Sequence, residues 1–209
     1  MSRLRAFIAV EIPPEIRREI HDATSNLRRG SGSLIRWVAV ENMHLTLKFL
    51  GDIPSANVEV LTQMIRAQAD SFNCFDIHLT GIGSFPSPKR PRVIYIGIQA
   101  PDALEAFQRQ LESATCRLGY NSDANGGRAF SPHLTLGRVR QNIAADDQQK
   151  IRRALEESKI DSLGAARVDS VHLYKSDLKP TGPVYTRLYS APLKTNVFAS
   201  DRRERSNLK

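Results

Sequence analysis

Residues 42–52 read NMHLTLKFLGD and residues 130–139 read FSPHLTLGRV, so HLTL stands at 44–47 and again at 133–136 in a chain with five histidines. Apolar residues alternate with polar ones in both, which marks strands, and successive side chains on a strand point to opposite faces. His44, Thr46 and Lys48 then share one face, while Leu45, Leu47 and Phe49 share the other. His133 and Thr135 oppose Leu134 and Leu136 in the same way. The leucines anchor each strand to a core and leave each His-Thr pair on the open face. Two such strands facing one another frame a cleft with two imidazoles and two hydroxyls. A single His-Thr pair is ordinarily a cross-strand polar pair, but composition gives a recurring H-x-T an expectation of only about 0.02. A third copy, His78-Leu79-Thr80, ends in Gly81, so the pattern alone leaves open which pair lines the cleft.

Two imidazoles suit cleavage of a phosphodiester without a metal. One takes a proton from the attacking nucleophile while the other gives one to the leaving oxygen, and both protonation states of imidazole are accessible near neutral pH. Threonine hydroxyls can donate to the non-bridging phosphate oxygens, where charge builds in the transition state.

Outward from the two motifs, a strand over Leu4 to Ile12 precedes Pro13-Pro14 and a helix EIRREIHDATSNLRR that closes near Gly30. LIRWVAV and MHLTLKFL read as strands, and Ser55 to Phe72 as an amphipathic helix opened by Ser55 as N-cap. Next come a strand FDIHLTGIG, a loop SFPSPKRPR, a strand VIYIGI and a helix over Asp102 to Leu118. AFSPHLTLGRV is a strand, Asp146 to Ser158 a helix, and VDSVHLYKSDL and VYTRLYSAPL are closing strands. Consecutive strands lie near enough for antiparallel pairing, so the order predicts an α+β fold. No linker is long enough to isolate two independent domains.

A chain of 209 residues, 41% of them hydrophobic, can bury a sizeable core as one large domain or two small lobes. The net charge of +8, with a pI near 9.8, favours polyanionic partners such as nucleic acid, although part of it lies in the frayed-looking tail SDRRERSNLK. The first apolar run meets Glu11 too early for a signal peptide, and no run is long enough for a membrane helix. The expectation is a soluble, cytoplasmic monomer. Cys74 and Cys116 have no C-x-x-C spacing and read as reduced thiols. Neither G-x-G-x-x-G nor a P-loop follows a strand, so no nucleotide cofactor is implied.

At the paired motifs the sequence resembles the two-histidine phosphoesterase superfamily, and most closely its RNA 2',3'-cyclic phosphodiesterase branch. RAFIAVEIP, RWVAVENMHLTLKFLGDIP, FPSPKRPRVIYIGI, FSPHLTLGRV and LYKSDLKPTGPVYTRL carry the resemblance in order over residues 3–193, and its spacing selects His133 over His78. It implies two lobes with approximate internal twofold symmetry, in which antiparallel sheets line a central cleft and helices lie outside. The expected domain is residues 1–194, with a charged mobile tail at 195–209. The resemblance also implies hydrolysis of RNA or nucleoside 2',3'-cyclic phosphates to 2'-phosphates, with 2',5' ligation as the same transfer in reverse. On that reading His44 gives the proton to the leaving oxygen, His133 activates water, Thr46 and Thr135 hold the phosphate, and no cofactor or metal takes part. Arg138 adds charge to the phosphate site; strict alternation places it with Leu134, but a bulge at Gly137 would turn it back.

Other residues carry weaker signals. Lys48 and the cluster Lys89, Arg90 and Arg92 suit RNA phosphates or plain solvation, and Trp37, Phe7, Phe130 and Tyr185 suit base stacking or, more ordinarily, core packing. Two rivals stand beside the enzyme: a module that binds a nucleotide or RNA end without chemistry, and a zinc hydrolase with His44 and His133 as ligands. The latter has no H-E-x-x-H and no third ligand at metal spacing.

Overall fold

A computed structural model describes residues 2–121, 129–180 and 182–195 of the chain. The tail expected at 195–209 therefore lies, beyond 195, outside the described residues. The strands are β1 (Arg3–Glu11), β2 (Ile35–Trp37), β3 (His44–Pro54), β4 (Phe75–Ser87), β5 (Arg90–Gln99), β6 (His133–Val139), β7 (Ser162–Val168), β8 (Ser170–Lys179) and β9 (Gly182–Pro192). The helices are α1 (Pro14–Ala23), α2 (Ser25–Ser31), α3 (Val58–Ala69), α4 (Asp102–Arg117) and α5 (Ala145–Glu157).

All pairings between these strands are antiparallel, in the order β7-β4-β5-β6-β3-β1-β8-β9. Two four-stranded halves meet where the H-x-T strands meet, and their junction is the single pair Leu45 and Leu134. Both leucines are fully buried. Past that pair β3 leaves β6, and β2 takes its place beside the far end of β6, with Arg36 opposite Arg138. The expected lobes are these halves, exchanged about a centre that lies between the two motifs.

One face of the sheet carries the core, including Ile8, Leu45, Ile53, Ile96 and Leu134. Each fully buried aliphatic side chain stabilises the fold by about 1.5–3 kcal/mol. Helices α3 and α4 pack over the β3–β9 half, and α1 and α5 over the β4–β7 half. The opposite face has its own small cluster of Phe7, Ala9 and Tyr174, with Tyr185 against it. Among the described residues no helix is long and apolar enough to cross a membrane, and Cys74 and Cys116 are free thiols.

Three local expectations are corrected, and one strand is new. The first helix is interrupted at Thr24, whose hydroxyl donates to the Ile20 carbonyl at 2.8 Å, a back-bond that bends helices. Ser55 opens a short 3-10 turn, and Asn57 takes the N-cap position of α3 without a side-chain capping bond. SFPSPKRPR is no long loop: β4 runs on to Ser87 and β5 starts at Arg90, with Pro86 and Pro91 paired at a register shift, where a missing N–H is tolerated. Lys89, Arg90 and Arg92 are exposed on this hairpin. Strand β7 went unforeseen because SLGAARV buries only Ala166 and Val168.

Candidate active site

The two H-x-T strands share more than their letters. On β3, Ala9 pairs with Thr46 and Ile8 with Lys48, so Leu47 is an extra residue. On β6, Tyr95 pairs with Thr135 and Ile94 with Gly137, so Leu136 is the extra residue. Each strand thus carries a bulge at the same step of its motif, and a bulge reverses the facing of the residues after it. Arg138 is turned back to the face of His133 and Thr135, as expected, by a bulge at Leu136, one residue before Gly137.

The same device overturns the expectation for Lys48 and Phe49. Lys48 points into the core side, with its side chain 2% exposed and its ammonium 2.6 Å from Glu112 of α4. It cannot meet RNA phosphates from the cleft. Phe49 takes the open face instead, 46% exposed and tilted against Phe7. Phe49 and Arg138 therefore hold equivalent positions in the two halves.

Each histidine is held alike. His44 Nδ1 lies 2.7 Å from the carbonyl of Asn42, and His133 Nδ1 lies 2.7 Å from the carbonyl of Ser131. A carbonyl only accepts, so each Nδ1 carries the proton and Nε2 is the nitrogen left for chemistry. Asn42 is itself tied to β9, since its amide donates to the Pro183 carbonyl at 3.1 Å.

Aromatic rings flank both imidazoles. Phe7 stacks on His44 with centroids 4.8 Å apart, and Tyr185 meets His44 edge-on at 5.3 Å. Phe85 and Tyr95 lie 5.0 and 5.4 Å from His133. Tyr95 lies across Gly83, where a Cβ would come within 2.5 Å of the ring. Phe7 and Tyr185 thus serve the cleft rather than the main core, whereas Trp37 and Phe130 pack against that core. Trp37 also carries the Arg28 guanidinium 4.5 Å from its ring centre. Phe85, Tyr95 and Tyr174 escaped the sequence reading; their signal is the register, which becomes visible only once β5 is paired with β6 and β1 with β8.

Burial pushes the pKa of His44 down, against a smaller opposing effect of its bond to Asn42. Burial does the same at His133, where the charge of Arg138 adds to it. Beside His44, Glu11 accepts a hydrogen bond from the Tyr174 hydroxyl and an ion pair from Arg187 at 3.3 Å. Burial pushes its carboxyl up, but Tyr174, His172, Arg187 and Arg17 together hold it below the usual carboxylate range. Glu11, Arg17, Tyr174 and Arg187 line a pocket of about 300 Å³ that reaches His44 and Tyr185.

The remaining histidines stand apart from the motif strands. His78 is exposed on β4, opposite Gln99 and Ala165, two strands from β6. His172 is bonded to Ser190 at 2.7 Å, and His21 lies on α1. Among the described residues no three His, Cys, Asp or Glu side chains gather as metal ligands.

Comparison with known proteins gives a consistent picture. A model of the LigT-like phosphoesterase family matches residues 10–95 and 96–185. The RNA 2',3'-cyclic phosphodiesterase of Methanothermobacter thermautotrophicus is 30% identical over 184 residues, covering 88% of this chain and 96% of the relative. The enzyme of the same name from Methanocaldococcus jannaschii is 32% identical over 182 residues, covering 87% and 96%. Among solved structures, a protein of Thermus thermophilus matches with a TM-score of 0.76 and 26% identity, over 92% of this chain and all of that one. Escherichia coli LigT in complex with 3'-AMP matches with a TM-score of 0.73 and 25% identity, over 92% and 99%.

Proposed function

The chain belongs to the LigT-like phosphoesterase family, and from that premise we propose that it is an RNA 2',3'-cyclic phosphodiesterase that opens the ring to a 2'-phosphate by paired imidazole catalysis. His133 Nε2 takes a proton from water as the water oxygen attacks phosphorus. His44 Nε2 gives a proton to the 3' oxygen as its bond to phosphorus breaks. Thr46 and Thr135 donate to the non-bridging oxygens, and Arg138 balances their charge. The two proton transfers need no metal. With a ribose 5'-hydroxyl in place of water, the same transfers join RNA ends through a 2',5' linkage, which we include in the proposal. Residues 1–194 form one two-lobed catalytic domain acting as a monomer.

The observation that carries this reading is the junction itself: two H-x-T strands meet at Leu45 and Leu134, each histidine with Nδ1 committed to a carbonyl. The surroundings also fit the two roles. Arg138 disfavours the cationic form of His133, which suits a base. Burial lowers the pKa of His44, so its protonated form gives up a proton readily. The negative charge of a bound phosphodiester favours that protonation.

The test is incubation with a nucleoside 2',3'-cyclic phosphate in EDTA, resolving 2'- from 3'-phosphate. The expected product is the 2'-phosphate alone, lost in His44→Ala and His133→Ala and kept in His78→Ala. A 3'-phosphate, dependence on zinc, or binding of the ligand without turnover would overturn the assignment.

A further inference from the structure

We propose that Arg36 binds the phosphodiester that precedes the cyclic end of an RNA strand, and so makes oligonucleotides better substrates than mononucleotides. This rests on the phosphodiesterase reading above and adds a second phosphate position to it. Arg36 is the central residue of β2, the short strand that fills the split between the two sheet halves. It is paired directly with Arg138 of β6, and residues opposite each other on antiparallel strands project from the same face. Arg138 is on the cleft face, where its charge acts on both His133 and Tyr185. Trp37 and Ile35, the neighbours of Arg36, lie on the other face, where a Cβ at Gly137 would meet them at 3.1 and 2.7 Å.

Both arginines are exposed. Among the described residues neither has a carboxylate in an ion pair. Like charges directly opposite on a sheet are destabilising, so an uncompensated pair here costs stability unless an anion lies between or along them. The Arg36 side chain also extends across the split: its Nη2 is 4.0 Å from the position a Cβ of Gly182 would take at the start of β9. The guanidinium therefore lies over the mouth of the cleft, one strand over from Arg138. With Arg138 on the reactive phosphate, two guanidiniums in neighbouring strands match two successive phosphates of a single strand. A free mononucleotide has only the first.

The experiment compares a short oligonucleotide ending in a 2',3'-cyclic phosphate with the corresponding nucleoside 2',3'-cyclic phosphate. In Arg36→Ala and Arg36→Gln, the ratio of kcat/KM for oligonucleotide over mononucleotide should fall about tenfold, through KM, as expected for one lost phosphate contact. Arg36→Lys should keep part of it. The dependence of oligonucleotide KM on salt should lose about 0.7 of a unit in log-log slope. Arg66→Ala, an exposed arginine on α3, should leave the ratio unchanged. An equal loss on both substrates, or no loss on either, overturns the proposal. If the wild-type chain turns over neither substrate, the phosphodiesterase reading fails. Arg36 is then judged by fluorescence anisotropy with an oligonucleotide 2'-phosphate, whose affinity must drop in Arg36→Ala while that of a nucleoside 2'-phosphate holds.

Discussion

Strands β3 and β6 repeat one backbone device and differ in the residues just beyond it. Both write His-Leu-Thr-Leu, tie the histidine Nδ1 to the carbonyl two residues earlier, and place a bulge at the second leucine. Beyond the bulge, the core-facing residue is Lys48 in one half and Gly137 in the other, and the cleft-facing residue is Phe49 in one and Arg138 in the other. The repeat therefore delivers two imidazoles in one geometry, and the divergence gives them different surroundings. Aromatic rings flank both, but Glu11 with its Tyr174 and Arg187 partners lies beside His44, whereas the charge of Arg138 acts on His133. On the proposed roles, acid and base would be set apart by neighbours, not by the motif.

The largest effect expected from this division concerns the leaving group. Loss of a general acid or base costs about 10²–10⁴ in rate, so His44→Ala and His133→Ala should each lose on the order of 10³ on a 2',3'-cyclic phosphate. The nitrophenolate of a nitrophenyl phosphodiester leaves without a proton. On that substrate His44→Ala should recover most of its loss, and His133→Ala should not. Recovery in His133→Ala alone would exchange the two roles.

Next in size is the core-facing pair. Glu112→Ala takes its carboxylate from the buried ammonium of Lys48 and should cost about 2–4 kcal/mol of stability. The equivalent test in the other half is Gly137→Ala, whose new methyl would come within 2.7 Å of Ile35. Overpacking of that kind costs about 1–3 kcal/mol. Urea unfolding of both variants measures the difference. A Glu112→Ala midpoint equal to that of the unsubstituted chain would mean that the ion pair adds little.

These positions also mark where the sequence was legible. Alternation in HLTL placed His44, Thr46, His133 and Thr135 on one face without any structure, because two strand residues either side of a leucine have no other choice. Alternation failed one step later, at Lys48 and Phe49, because a bulge inserts one residue and nothing in LKF announces it. Gly137 did announce the second bulge, since glycine in a strand interior needs a reason. The α+β class followed from the order of elements. The single pair joining the halves, the insertion of β2 and the edge strand β7 did not, because each depends on long-range register and leaves little apolar periodicity of its own.

The smallest effect separates Phe49 from Arg138 by pH. Catalysis as proposed needs His133 neutral, so the rate falls on the acid side as His133 takes up a proton, and on the alkaline side as His44 loses one. The charge of Arg138 holds the pKa of His133 down, so Arg138→Ala should move the acid limb of kcat/KM to higher pH. Phe49→Ala, the equivalent truncation in the other half, removes no charge and should leave that limb in place. Arg138 is exposed, so its influence is screened by salt, and the displacement should shrink as ionic strength rises. An acid limb that moves in Phe49→Ala as much as in Arg138→Ala would show that packing around the bulge, and not the guanidinium charge, sets the titration of His133.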